Sequence, residues 1–235
     1  MKSRRIMIIT DSVSMPRPGI PYEETWIYLL KKEFPGCDFI DRSARGSTST
    51  RLVTEGGGGV DLLESYTPGI VILQQGMAEC APRLFDKTSM EFFIVSRILP
   101  GGIRRRYIER VKRTRVRNPD VTDVAPEQFR RNIASFFERA AGIGARVIVV
   151  LILPPTREYI SKSPHIRKNV DLYNGIYRET SARFPNTVIV DPFAGRGGID
   201  DIAIDETHLK PAGLKMIFDS LKPLVRRYLK GTSKN

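Results

Sequence analysis

Cysteine and histidine are scarce in this chain of 235 residues, with two of each. Cys37 and Cys80 cannot build a disulfide framework, and two histidines leave no zinc-finger spacing, so no metal is expected. Long apolar runs are missing too. The longest, Val147–Leu153, has seven residues, far short of the roughly 20 that a membrane helix needs. Nucleotide loops are absent: Gly56–Gly59 lacks the Lys-Ser/Thr of a phosphate loop and reads as a linker, and Gly195-Arg196-Gly197-Gly198 lacks the dinucleotide spacing. No cofactor is therefore expected. The opening Met1-Lys2-Ser3-Arg4-Arg5 has the charge of a secretory leader, but Ile6–Ile9 is too short for its apolar core and reads as a first strand. The expected compartment is the cytoplasm.

The chain does contain enough apolar residues, 41%, with 27% charged, to exclude disorder. At this length a single domain should bury about 70–75% of its unfolded surface. Charge is uneven. Lys and Arg number 38 against 26 Asp and Glu, a net +12, and the segment from Arg83 to Arg117 alone carries eleven basic and three acidic residues. The reading is one domain over 1–235 with a basic insertion at about 81–125.

Apolar segments alternate in type along the chain. Arg5–Ile9, Asp38–Asp41, Ile70–Gln74, Arg146–Leu153 and Thr187–Val190 read as strands. Glu23–Glu33, Pro126–Ala141, Val170–Phe184 and Pro211–Leu229 carry helical stripes, and Val60–Tyr66 one or two helical turns. Alternating strands and helices predict an α/β fold, a three-layer α/β/α sandwich around a five-stranded parallel sheet of order 2-1-3-4-5. In such a sheet ligands bind beyond the carboxyl ends of the strands. The loops after strands one, two and three, and the segment after strand five, should converge there.

Two histidines make the search for a base short. His208 follows Asp205 by three residues, close enough for the carboxylate to hold Nδ1 and leave Nε2 free to take a proton. His165, in Ser163-Pro164-His165, reads as a surface residue. Ser12 ends the first strand and is the candidate nucleophile. Its N–H and that of Gly46, after strand two, are candidate oxyanion donors. Cys80 reads as a buried structural thiol.

Taken together, Thr10-Asp11-Ser12, Asp41-Arg42-Ser43-Ala44-Arg45-Gly46-Ser47-Thr48, Pro68–Glu79 and Asp205-Glu206-Thr207-His208-Leu209-Lys210-Pro211-Ala212-Gly213 resemble, in order, the four blocks of the SGNH (GDSL-type) hydrolases. The resemblance runs from residue 6 to about 225, broken by the insertion. It implies a flavodoxin-like fold and a metal-free esterase, deacetylase or acyltransferase working through an acyl-serine. Ser12 would be the nucleophile, His208 the base and Asp205 its orienting acid, with oxyanion donors at Ser12 and Gly46. Asp11, Gln75, Glu79 and Arg83 are expected near substrate. Thr10 stands where the family has glycine, and Ala78 and Glu79 where it has an oxyanion asparagine and an aspartate. Losing one such donor costs about 10²–10³ in rate. Gln74 or Gln75 is a candidate replacement amide, and Glu79 is expected to pair with Arg45 or Arg83. The run Gly76-x-x-Glu79-Cys80-Ala81-Pro82-Arg83 resembles a bacterial branch linked to surface polysaccharides, which implies an O-acylated carbohydrate or glycan precursor as substrate.

The segment Arg83–Arg117 leaves three readings open: a solvated helix face, a lid that draws in an anionic substrate, or a surface for an anionic ligand or membrane. Nucleic acid is the least favoured partner. A binding module on the same fold, using this segment and doing little or no chemistry, is the alternative to an enzyme.

Overall fold

The structure, a computed structural model, describes residues 4–53, 59, 62–87, 89–114 and 120–231. The expected linker at Gly56–Gly59 (all but Gly59), the start of the Val60–Tyr66 segment, the basic Arg115–Arg117 and most of the Gly231–Asn235 tail lie outside the described residues.

Five apolar segments set the architecture. β1 (Arg5–Thr10), β2 (Asp38–Asp41), β3 (Ile70–Gln74), β4 (Arg146–Val150) and β5 (Thr187–Val190) form one parallel sheet in the order 2-1-3-4-5. Ile6–Ile9 on β1 and all of β3 are buried on both faces, as strands covered by helices must be. The edge strands β2 and β5 are less buried than the central ones, and β2 is bounded by exposed Asp38 and Asp41. Register is regular: Ile6 pairs with Ile70 and Thr10 with Gln74 across β1 and β3. The carboxyl ends of these two central strands therefore lie side by side.

Helices cover the sheet. α1 (Trp26–Glu33) starts where the Thr25 hydroxyl accepts the Tyr28 N–H at 3.3 Å. After β3 comes the short α2 (Met77–Cys80). Then follow α3 (Met90–Phe93), running into a π-helical stretch, Ile94–Ile98, and α4 (Gly101–Thr114). α5 (Pro126–Gly142) opens on a proline at its first position and buries Phe129, Ile133, Phe136, Phe137 and Ala140 completely. Each such Phe contributes about 1.5–3 kcal/mol by leaving water. α6 (Arg157–Lys162), α7 (Ile166–Ser181) and α8 (Pro211–Gly231) follow among the described residues. α5 packs on α7, with Phe129 edge-on to Tyr177 at 5.0 Å, while α1 packs on α8.

The strand expected to reach Leu153 stops at Val150, although Leu151–Leu153 are buried. Pairing with β5 ends where Asp191-Pro192 begins, so those three residues are core without being sheet. The helix expected from Glu23 begins at Trp26, preceded by a 3-10 turn at Tyr22–Glu24. Val170–Phe184 is helical from Ile166 and ends at Ser181. Leu62–Tyr66 are turns rather than helix.

Candidate active site

Ser12 sits in a turn that its neighbour builds. Asp11 leaves the sheet with its N–H still bonded to the Gln74 carbonyl at 3.2 Å, and its carboxylate accepts the Val13 N–H at 2.9 Å. That bond caps a 3-10 turn, Ser12–Ser14, and lifts the Ser12 side chain to the rim. The same carboxylate takes the N–H groups of Met77 and Ala78 in α2. Asp11 is 3% exposed. Burial pushes its carboxyl up to about 6, against these three bonds, which hold it down. Thr10, in the glycine's place, is fully buried, and its hydroxyl bonds those of Ser14 and Ser43.

His208 is held by a closed loop. Ala203 and Leu209 form an isolated antiparallel bridge, the Ile204 N–H donates to the His208 carbonyl at 2.8 Å, and the Lys210 N–H donates to the Ile202 carbonyl at 2.7 Å. Inside it, Asp205 Oδ1 accepts the N–H groups of Thr207 and His208, each at 2.9 Å. Leu209 is buried and anchors the loop. Gly213 lets it do so, since a Cβ there would stand 2.9 Å from Leu209 Cδ2. Pro211 then starts α8.

These two constructions meet. Ser12 Oγ lies 3.2 Å from His208 Nε2, and His208 Nδ1 lies 2.7 Å and 2.8 Å from the two Asp205 oxygens. The His208 side chain is 18% exposed. Burial lowers its proton affinity below the ordinary value; the Asp205 hydrogen bond opposes this, and the charges of Arg17 and Arg45 reinforce it. For Asp205, burial acts to raise the carboxyl, but the Thr207 and His208 bonds outweigh it and hold the group below the usual carboxylate range. A neutral imidazole beside an ionised carboxylate has Nδ1–H donating to Asp205 and an Nε2 lone pair facing the serine hydroxyl.

Gly46 lies in the loop after β2, which continues alongside β1 as far as Ala44: Arg42 N–H donates to Ile8 O at 2.8 Å and Ala44 N–H to Thr10 O at 3.1 Å. Its φ of +64° is the left-handed conformation that glycine adopts freely. Among the described residues, no protein group takes up the N–H of Ser12 or of Gly46.

The residues expected around substrate are differently placed. Glu79 pairs with neither Arg45 nor Arg83. It is fully buried, and its carboxyl meets the Ser49 N–H at 2.6 Å and the Ser49 hydroxyl at 2.8 Å, with Asn132 Nδ2 donating to the same hydroxyl at 3.0 Å. Burial, and then the nearby charges of Asp11 and Asp123, push it up to about 8 against the two Ser49 bonds. Arg83 turns away, donating to Asp123 at 2.6 Å and to the Ala78 carbonyl. Arg45 donates to Pro16 O at 3.3 Å. Gln75 is buried and donates to the Ser47 hydroxyl at 2.7 Å; Gln74 is buried and accepts from Trp26 Nε1 at 3.1 Å. Neither amide opens onto the rim, because both complete the packing beneath it. Cys80 is fully buried, which pushes its thiol far up, and His165 is exposed at the start of α7.

One residue of the site carries no mark in the sequence. Arg17, between two prolines, donates through Nη2 to the Ser12 carbonyl at 2.9 Å, and its Nη1 lies 3.6 Å from Asp205 Oδ2. Its closeness to Ser12 in the chain was the one available signal.

No family model and no curated protein matches the chain. Solved structures do. TesA is similar at 20% identity and TM-score 0.59, over 95% of this chain and 99% of that one. A psychrotrophic esterase, EstA from Pseudoalteromonas sp., inhibited by monoethylphosphonate, gives 17% and 0.56 over 97% and 100%. A GDSL-like lipase from Bacteroides thetaiotaomicron gives 14% and 0.58 over 95% and 88%. The fold implied by the sequence resemblance is the fold found: an α/β sheet of order 2-1-3-4-5 shared with the GDSL (SGNH) hydrolases.

Proposed function

We propose that the chain is a serine esterase or acyltransferase of the SGNH type, with Ser12 as nucleophile, His208 as general base and Asp205 as the residue that orients it. The observation that carries this reading is the pair of contacts made by one imidazole, 3.2 Å to Ser12 Oγ and 2.7 Å to Asp205. In the proposed reaction Ser12 Oγ attacks the ester carbonyl carbon while its proton passes to His208 Nε2. The carbonyl electron pair moves onto oxygen, which faces the N–H groups of Ser12 and Gly46. As the C–O bond to the leaving group breaks, His208 returns the proton to that oxygen, leaving an acyl-serine. Water, or an acceptor hydroxyl in the transferase variant, then attacks with the same proton relay in reverse. A base held below the usual histidine range is neutral, and so ready, at pH 7.

The substrate proposed is an O-acyl ester on a carbohydrate or glycan precursor, on the resemblance carried by Gly76–Arg83. Ala78 supplies a methyl group where the family has a third donor, so turnover should be modest. The same alanine is the observation that favours the second reading, a weakly active or inactive module that binds through its basic insertion.

Covalent labelling separates the two. A fluorophosphonate probe should attach to Ser12, as located by peptide mass spectrometry, and should fail to attach in folded His208→Ala protein. A folded wild-type chain that takes no label at Ser12 would overturn the enzymatic reading.

A further inference from the structure

Between α2 and α5 the chain builds a helical arm. α3 and the Ile94–Ile98 stretch run out, the chain turns at Leu99-Pro100, and α4 returns. The arm packs largely on itself. Val95 and Val111 are buried, the Phe85 and Tyr107 rings lie 6.4 Å apart, and the Tyr107 hydroxyl donates to Glu91 at 2.7 Å. α4 meets the Ile94–Ile98 stretch rather than the sheet. The arm's base is pinned to the body beside the candidate site: Asp123 binds Arg83 at 2.6 Å and Lys87 at 2.7 Å, and its N–H donates to the Glu79 carbonyl at 3.3 Å.

The arm's outer surface has two unusual properties. Seven large hydrophobic residues are exposed among those described, and five of them are here: Met90, Phe93, Ile94, Ile98 and Ile103. Ile98 is 60% exposed and Ile103 56%, and they stand on either side of the Leu99-Pro100 turn. Arginines neighbour them in the sequence, with Arg97, Arg104, Arg105 and Arg106 all exposed. Along α4, Arg105, Arg106, Arg110 and Arg113 line a depression together with Glu109 and Thr114.

We propose that this arm docks the protein onto an anionic phospholipid surface, with Ile98 and Ile103 entering the acyl boundary and the neighbouring arginines meeting lipid phosphates. Exposed apolar side chains with exposed guanidinium groups beside them in the chain match the two layers of a bilayer interface, hydrocarbon below and phosphate above. A nucleic acid would engage the arginines but leave the isoleucines in water. A second copy would cover the isoleucines but press two arginine clusters together in a chain of net +12. No helix among the described residues is long and apolar enough to cross a membrane. The contact proposed is therefore interfacial.

Co-sedimentation with vesicles tests this without reference to catalysis. The full chain should bind vesicles of phosphatidylcholine mixed with phosphatidylglycerol, bind phosphatidylcholine alone far less, and release as salt rises. The exposed pair Ile98→Asp/Ile103→Asp should weaken binding by about tenfold or more at every salt concentration. Arg104→Gln/Arg105→Gln/Arg106→Gln should flatten the salt dependence. Both variants should keep the wild-type circular dichroism spectrum and the wild-type rate on a soluble aryl ester, so loss of docking and loss of chemistry are read separately. Three results would overturn the proposal: no binding to anionic vesicles at low salt, binding unchanged by the isoleucine substitutions, or a wild-type dimer in sedimentation velocity that those substitutions dissolve. Tighter binding to a single-stranded oligonucleotide that is indifferent to Ile98 and Ile103 would overturn it as well.

Discussion

Arg17 spans the site: one guanidinium nitrogen holds the Ser12 carbonyl at 2.9 Å and the other lies 3.6 Å from Asp205. It thus ties the serine turn near the amino end to the histidine loop near the carboxyl end, and its charge disfavours the imidazolium form of His208. Arg17→Gln removes both effects. The acid limb of the pH–rate profile should move to higher pH, because His208 then holds its proton more tightly, and kcat should fall ~10–100-fold as the turn loses its tether. A profile that stays in place while kcat falls would reduce Arg17 to a structural contact.

Ser12→Ala and His208→Ala remove the two ends of the proposed proton transfer. Each should cost about 10³-fold or more in kcat on a short-chain aryl ester, and the double variant little beyond either single one, since the residues act as a unit. Additive losses would mean that the 3.2 Å contact is not the catalytic one.

Ala78→Asn restores an amide where the family has one. The backbone N–H at this position already donates to Asp11, so the new side chain starts from a fixed base and should raise kcat by up to about 10²-fold. An unchanged rate would indicate that the oxyanion forms elsewhere.

Glu79 ties stability to pH. Its carboxyl titrates at about 8 in the fold and at an ordinary 4.5 outside it. Because the folded value is the higher one, the contribution is complete below pH 4.5 and is lost as pH rises through about 8. The gap corresponds to about 5 kcal/mol at full ionisation. Glu79→Gln mimics the protonated form, accepting from the Ser49 N–H and donating to its hydroxyl. Its Tm should match the wild type near pH 5 and exceed it at pH 9. Parallel Tm curves across that range would contradict the assignment.

Much of this was readable along the chain, for a local reason. β2, β3 and β5 have the expected boundaries because turn residues bracket each apolar run. The Asp205–Gly213 loop was equally legible, since its bonds join residues only two to eight positions apart. The errors lie where a partner is distant. Glu79 finds Ser49, thirty positions away, in a segment with no apolar pattern to place it. Apolarity marked Leu151–Leu153 as buried but could not say whether a strand lay beside them. The exposed isoleucines of the arm were not legible, because a sequence shows that a residue is apolar and not that it faces water.

The serine and histidine that touch are 196 positions apart. During synthesis the hydroxyl emerges almost at once, while its activating imidazole arrives only after the last strand has been laid down. Through nearly all of translation the nascent chain therefore carries an unarmed serine. In the proposed mechanism the hydroxyl gains its base only once the loop closed by the Ala203–Leu209 bridge has folded, and a protease cut anywhere between the bridge and β5 should disarm the protein while leaving its sheet intact.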